Sequence, residues 1–259
     1  MAIYVVLPIT NRMEVINMSL EPTINKLQSL RLYGMTRALN AALETGLQGL
    51  SIQDLLAHIV DAEWDYRHER KLEKLIKKAK FRYSASIEEI NFTIKRSFDK
   101  NMLLGISDCS FIQKKQNIVV TGPTGVGKSF ITTAIGYQAC VYGFKTAYFN
   151  FSKLMPALKL KKADGSYLNE LRRIEKQDVL IFDDFGLEKL DSLSRLMLLE
   201  ILEDRHGIRS TVITSQLPVS AWHDVIGDPT ISDAICDRII HNCLRIELDG
   251  PSARAMYKN

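Results

Sequence analysis

The sequence predicts an α/β fold, a parallel sheet flanked by helices and preceded by a small all-α N-terminal domain. Three observations predict it. Beyond about residue 115, short apolar runs alternate with helical patterns, the mark of βαβ units whose sheet is covered on both faces. A glycine-rich loop lies between the first of these strands and the helix that follows it. The first ~95 residues instead show helical periodicity only.

The elements follow in order. Residues 1–17 carry little periodicity and read as a leader without packed structure. From Leu20 the pattern turns helical, with Leu27, Leu30, Met35, Leu39 and Leu43 recurring. Ile52, Leu55, Leu56, Ile59, Val60 and Trp64 follow helical spacing, with Ser51 as N-cap and Asp54 three residues on. Trp64 reads as an anchor of the helical core or as a platform for a nucleobase. Leu72, Leu75, Ile76 and Ala79 carry an apolar stripe through a basic segment, whose charges then lie on the outer face. The domains are therefore placed at 18–95, helical and able to bind DNA or a partner, and at 96–259. In the second, strands are predicted at Asn117–Thr121, Thr146–Phe151, Asp178–Phe182 and Ser210–Thr214. Helices are predicted at Ser129–Tyr142, Lys153–Lys162 and Ser192–Asp204.

Composition narrows the function classes. The chain has 259 residues, 46% hydrophobic and 25% charged, an ordinary globular composition. No apolar run reaches the ~20 residues of a membrane span. The four cysteines form no CxxC pair, which argues against a zinc site or a disulfide framework and for a reduced cytoplasm. The net charge of +4 lies wholly in the first 117 residues. There Arg67, Arg70, Lys71, Lys74, Lys77, Lys78, Lys80 and Arg82 face only Glu69 and Glu73. Such a run suits an anionic polymer such as DNA, or else forms a solvated helix face.

The chemistry sits in three motifs. Gly122-Pro123-Thr124-Gly125-Val126-Gly127-Lys128-Ser129 matches G-x-x-x-x-G-K-[ST] at each fixed position, between a strand and a helix. Glycines let the backbone N–H groups converge on phosphate oxygens, and the helix N-terminus adds its dipole. Lys128 would reach the β- and γ-phosphates of ATP, Ser129 would ligate Mg²⁺, and Phe130 follows as part of the nucleotide site. Next, the apolar strand Asp178–Phe182 runs into Asp183-Asp184. Asp183 would hold Mg²⁺ and Asp184 would polarise the attacking water, or merely cap the strand end. Third, Gln216 at the tip of the strand Ser210–Thr214 is placed to orient that water or contact the γ-phosphate.

Together these motifs resemble AAA+ ATPases of the DnaA/DnaC branch, most closely the IstB-like transposition helper ATPases. The resemblance spans nearly the whole chain: Leu27–Leu39, Glu63-Trp64 with its basic helix, Lys80-Phe81-Arg82, Asp183-Asp184-Phe185-Gly186, Ser215–Pro218, Ala234–Arg238, His241-Asn242 and Gly250–Arg254. It implies an AAA+ domain with a truncated or absent lid, ATP-dependent oligomerisation on double-stranded DNA, and a partner transposase whose target DNA the assembly selects. It implies that Gln216 is a sensor 1. It implies that Arg238 is an arginine finger acting on a neighbouring subunit, with a surface salt bridge as the plainer alternative, and that Arg254 stands where a sensor 2 would. It implies a DNA-tracking insertion over Lys153–Arg173, carried by Lys159, Lys161 and Lys162, with a solvated crossover helix as the alternative. Two other functions compete. A DnaC-like helicase loader would bind a helicase and prefer single strands. A small-molecule P-loop kinase would need an acceptor site, against which Asp184 and Gln216 argue.

Overall fold

The computed structural model describes residues 20–45, 51–90 and 100–252. The chain divides into two compact units, Met1–Glu73 and Lys74–Asn259. The predicted 1–17 leader and Arg254 lie outside the described residues.

In the first unit, α1 (20–29) turns through Arg31, at φ 59°, into α2 (Tyr33–Thr45). α3 (Ile52–Ala79) begins here and runs on into the second unit. Ser51 caps it as the sequence predicts: its Oγ accepts from Asp54 N at 3.1 Å and donates to Asp54 Oδ2 at 2.6 Å. α2 and α3 cross closely at Gly34, where a Cβ would stand 2.3 Å from Ala62 O and 2.6 Å from Glu63 Cα. The same crossing buries Glu63. Its Oε2 accepts the N–H groups of Gly34 at 2.8 Å and Met35 at 3.2 Å, and Arg67 Nε donates to its Oε1 at 2.7 Å. α2 has no acidic residue in its own first turn, so Glu63 supplies its N-terminal cap from a neighbouring helix.

The face of α3 differs from the expected one. Ile52, Leu56, Val60 and Trp64 are exposed rather than packed in a core. Trp64 lies against His68, with ring centroids 3.6 Å apart. Within the described residues of this unit, α2 covers α3 around Ala62, Glu63 and Tyr66.

In the second unit five parallel strands stand in the order β2-β3-β4-β1-β5: β1 (Asn117–Thr121), β2 (Thr146–Asn150), β3 (Val179–Phe185), β4 (Ser210–Ser215) and β5 (Cys243–Glu247). One face carries α4 (Lys100–Ser107), α5 (Ser110–Gln113) and α6 (Lys128–Val141), around Ile118, Val120, Ile131 and Ile135. The other carries α7 (Phe151–Ala163), α8 (Tyr167–Glu175), α9 (Ser192–Glu203), α10 (Trp222–Ile226) and α11 (Pro229–Ile240), around Val119, Leu180, Phe182 and Leu198. Both faces are covered, which is why the strands read as unbroken apolar runs.

The sequence places its domain change near residue 95, whereas the structure divides after Glu73. The reason is apolar burial. Ala85 and Ile90 belong to the core beneath β1, with Phe81 packed against it. A Cβ on Gly136 would stand 2.8 Å from Phe81 Cε1 and 2.6 Å from Ile181 Cδ1. A second anchor is Arg205, fully buried. It donates to Ile174 O, Gln177 O and Ser210 O, tying the end of α8 to the start of β4. Burial and the nearby Arg209 lower its pKa to about 9.

Burial acts to raise the pKa of Glu63, but the Arg67 bond and the Met35 and Gly34 N–H groups outweigh it, holding the carboxyl below its usual range. A depressed folded pKa contributes stability above the unfolded value, lost as pH falls through the folded one. Replacing Glu63 by Ala should therefore destabilise the α2–α3 pair by about 1–2 kcal/mol. Amide exchange of Gly34 and Met35 should rise at neutral pH and match the parent chain at strongly acidic pH.

Candidate nucleotide and DNA sites

The phosphate loop lies between β1 and α6, at the C-terminal end of the sheet. Gly122, at φ 144°, lies so close to the residue following β5 that a Cβ would stand 2.1 Å from Leu248 O. Gly127, at φ 101°, turns the chain into α6. Neither conformation suits a side chain. Val126 is buried in the core and pins the loop from below. The buried Lys128 folds over the loop, its Nζ donating to Gly122 O at 2.7 Å and Pro123 O at 2.8 Å. Ser129 is half-buried in the first turn of α6. Phe130 packs against the core, its ring stacked 6.4 Å from Tyr83.

The acidic pair differs from expectation in one respect. The sequence ends the strand at Phe182, but β3 continues to Phe185. Pairing with β4 shifts between Phe182 and Phe185, and Asp184 takes φ 62°. Asp183 is fully buried. Thr214 Oγ1 donates to its Oδ1 at 2.5 Å, and the Tyr148 hydroxyl donates to its Oδ2. Burial, and then the bond to Asp183, push the Tyr148 phenol well above its ordinary pKa. It remains a proton donor to the Asp183 carboxylate. Asp184 N donates to Thr214 Oγ1 at 2.9 Å, so one hydroxyl serves both aspartates. Asn150 Nδ2 donates to Asp184 Oδ2 at 3.1 Å, and Arg82 Nη1 lies 3.9 Å from the same oxygen.

Gln216 follows β4 and reaches the phosphate loop, its Oε1 accepting from Thr124 Oγ1 at 2.7 Å. The three motifs are thus brought together, with β4 linking them. The donor set suits Mg²⁺: hydroxyl and carboxylate oxygens at Ser129 and Asp183 are hard ligands. No cluster of three or more His, Cys, Asp or Glu side chains able to hold a metal occurs among the described residues.

Arg238 lies elsewhere. Asn117, at the start of β1, donates to Arg238 O at 2.9 Å and Ile239 O at 3.0 Å. That is the end of the sheet opposite the phosphate loop. The Arg238 guanidinium pairs with Glu203 and donates to Ala234 O at 2.9 Å.

The basic candidates divide. Lys71, Lys74, Lys77, Lys78 and Lys80 are exposed, with Leu72, Leu75 and Ile76 half-buried and Ala79 buried between them. Arg67 serves Glu63, Arg70 donates to the Tyr66 hydroxyl, and Arg82 faces Asp184. Lys159 pairs with Asp191, Lys161 lies 3.5 Å from Glu170, and Lys162 stands over the Tyr167 ring. Sequence reasoning missed Tyr148, Asn150 and Thr214. The available signal was only the polar residues within two otherwise largely apolar predicted strands, Thr146–Phe151 and Ser210–Thr214.

The sequence profile of the IstB-like ATP binding proteins matches residues 25–259. The chain belongs to this family. Among its relatives, the insertion sequence ATP-binding protein y4pL of Sinorhizobium fredii is 41% identical over 90% of this chain and 96% of its own. The ATP-binding protein of insertion sequence IS1162 from Pseudomonas fluorescens is 38% identical over 78% and 89%. Solved structures similar to this IstB-like chain include DnaI, with TM-score 0.53, 20% identity and coverage of 68% of this chain and 94% of DnaI. The DnaC helicase loader gives TM-score 0.51 and 19% identity over 68% of this chain and 99% of the loader. The AMPPCP-bound DnaA of Aquifex aeolicus gives 0.53 and 17% identity over 66% and 52%. The fold is that of the AAA+ P-loop domains.

Thr214→Val removes one hydroxyl from two bonds while keeping the side-chain volume. It should cost about 2 kcal/mol in the stability of the second unit, because Asp183 Oδ1 and Asp184 N both lose a buried partner. Denaturant unfolding of the full chain reads this directly, and Thr214→Ser should recover most of the loss.

Proposed function

We propose that this chain binds ATP with Mg²⁺ at the phosphate loop, hydrolyses it, and uses the ATP-bound form to assemble on double-stranded DNA for a partner transposase. The observation that carries the ATPase part is the bonded path from the phosphate loop through Thr124 and Gln216 to β4, and through Thr214 to both aspartates. Lys128 exchanges its two carbonyl partners for β- and γ-phosphate oxygens. Ser129 and Asp183 would hold Mg²⁺, which would supply positive charge against the phosphates. Asp184, more exposed than Asp183, orients a water molecule and accepts its proton as the water oxygen bonds to the γ-phosphorus. The bond from the γ-phosphorus to the bridging oxygen breaks, leaving ADP and phosphate. Gln216 exchanges Thr124 for the γ-phosphate or that water.

The DNA part rests on the exposed lysines of α3 and on the insertion-sequence naming of the relatives. Binding of this kind goes to backbone phosphates and carries little sequence preference. The oligomer rests on Arg238. One side chain cannot span the length of β1 to its own phosphate loop, so an action on a γ-phosphate requires another copy of the chain. The likeness to the DnaC helicase loader favours a second reading, in which the chain prefers single strands and binds a helicase.

Lys128→Ala should abolish nucleotide binding, read by calorimetry; unchanged ATP affinity would refute the phosphate site. Asp184→Asn should retain ATP binding while turnover falls at least about a hundredfold. Fluorescence anisotropy on labelled duplex and single-stranded DNA, with no nucleotide, ADP or a slowly hydrolysed ATP analogue, tests the DNA part. Tight duplex binding only with the analogue supports the transposition reading, and single-strand preference supports the loader. Reversing the charge of Lys71, Lys74, Lys77 and Lys78 should weaken duplex binding. The slope of log affinity against log salt should become shallower by about 0.9 for each DNA phosphate that the variant no longer neutralises.

A further inference from the structure

The phosphate loop carries a glycine that its motif does not require. G-x-x-x-x-G-K-[ST] fixes Gly122 and Gly127 and leaves the position of Gly125 between them open. Gly125 takes φ 91°. A Cβ there would stand 2.4 Å from Ser252 Oγ and 3.0 Å from Ser252 Cβ. Ser252 thus occupies the place of the side chain that the loop lacks. The same relation holds at Gly122, whose missing Cβ would meet Leu248 O. The segment that follows β5 therefore meets the loop at two points, and residues 248–252 form a strap along it.

The strap is anchored at its start. Leu248 is buried in the same core as Val126, and its N–H donates to Thr121 O at 2.8 Å. Gly250, at φ 119°, turns the chain, and Pro251 fixes its own backbone beside it. Ser252 is then held, half-buried, against Gly125. The other loop residues have restraints of their own. Thr124 bonds to Gln216, Val126 is set in the core, and Lys128 folds back on the carbonyls of Gly122 and Pro123. Gly125 has no side chain by which to be held, and glycine has the most backbone freedom to lose. Its contact with Ser252 supplies the restraint. The loop receives phosphate through N–H groups that must converge. A loop already restrained in that shape gives up less entropy when the nucleotide arrives.

We propose that Ser252 is a positioning residue of the nucleotide site: seated at Gly125, it keeps the phosphate loop in its phosphate-receiving shape and so sets the affinity for ATP and ADP alike. The proposal rests on the reading of the loop as the nucleotide site. The effect falls on both nucleotides because the loop's N–H groups cradle the α- and β-phosphates that both carry. It falls on binding rather than on chemistry, because a restraint present throughout the reaction favours ground state and transition state equally.

Calorimetric titration of the full chain with ADP and with a slowly hydrolysed ATP analogue tests it, beside steady-state ATP turnover. Ser252→Gly should weaken both nucleotides about fivefold, and Ser252→Ala, which keeps the Cβ, by less. KM for ATP should rise while kcat stays within about twofold. Without nucleotide, amide exchange in the phosphate loop should quicken in Ser252→Gly and that of the buried part of α6 should not, which a general loosening of the fold would not produce. Gly125→Ala should also weaken binding, because its new Cβ presses on Ser252. The two changes together should cost less than the product of their single effects. Parent affinity and parent loop exchange in Ser252→Gly overturn the proposal while leaving the loop as the nucleotide site. A loss confined to the ATP analogue puts the serine on the γ-phosphate and overturns the positioning role. Effects that multiply in the double variant overturn the contact with Gly125 as their cause. A parent chain that binds neither nucleotide removes the reading of the loop and this proposal with it.

Discussion

The hydroxyl of Thr214 donates to Asp183 and accepts from the backbone of Asp184, and the geometry of the acidic pair depends on that double use. A hydroxyl has one hydrogen and two lone pairs, so both bonds can be made at once. A non-glycine residue in the left-handed region costs about 1–3 kcal/mol, and the bond from Asp184 N is one of the interactions that hold it there. The irregularity has a packing consequence. Strict alternation along β3 would place Phe182 and Asp184 on one face. The extra residue instead returns Phe185 to the face of Phe182, where both pack with Phe151. Both aspartates thereby leave the apolar layer. Asp183 is buried under Tyr148, and Asp184 is partly exposed beside Asn150 and Arg82. Two identical side chains one residue apart acquire different environments, and so can hold different roles.

Much of the second unit is legible in its residues. The strands are buried on both faces, which makes each a continuous apolar run with recognisable ends. The phosphate loop has a spacing that few other structures require. The extension of β3 is not legible, because carboxylates normally mark a strand's end and only the resumed pairing of Phe185 with Ser215 shows otherwise. Tyr148, Asn150 and Thr214 are hidden for a related reason. Their neighbours are ordinary strand residues, and what gives them a place at the site is the parallel register that sets Asn150 beside Asp183. Register between distant strands is a property of the assembled sheet, not of any local window.

The helical region shows the same boundary. Spacing identifies α3 as a helix and Ser51 as its cap. It does not say which face a partner covers, and the stripe from Ile52 to Trp64 is exposed. Glu63 reads in sequence as part of a polar motif preceding a basic run. It is instead the buried cap of α2, made possible by the missing side chain at Gly34. Arg67 is drawn from the basic run to neutralise it, and Arg82 at the other end of the run is drawn to Asp184. A run that is uniform in sequence therefore has specific ion pairs at its ends and exposed lysines between them.

The polar groups at the nucleotide site take partners from within the chain. Lys128 holds loop carbonyls, Gln216 holds Thr124, and Asp184 holds Asn150. Buried or half-buried polar groups require such partners, so ligand binding at this site exchanges bonds rather than adding them. The net gain per exchange is then small, about 1 kcal/mol, and several exchanges must occur together to give useful affinity. Arg238 follows the same rule with Glu203, but at the opposite end of the sheet. The five residues of β1, at ~3.3 Å each, separate that end from the phosphate loop, further than an arginine side chain extends. Its guanidinium therefore does not reach the phosphate loop of its own chain.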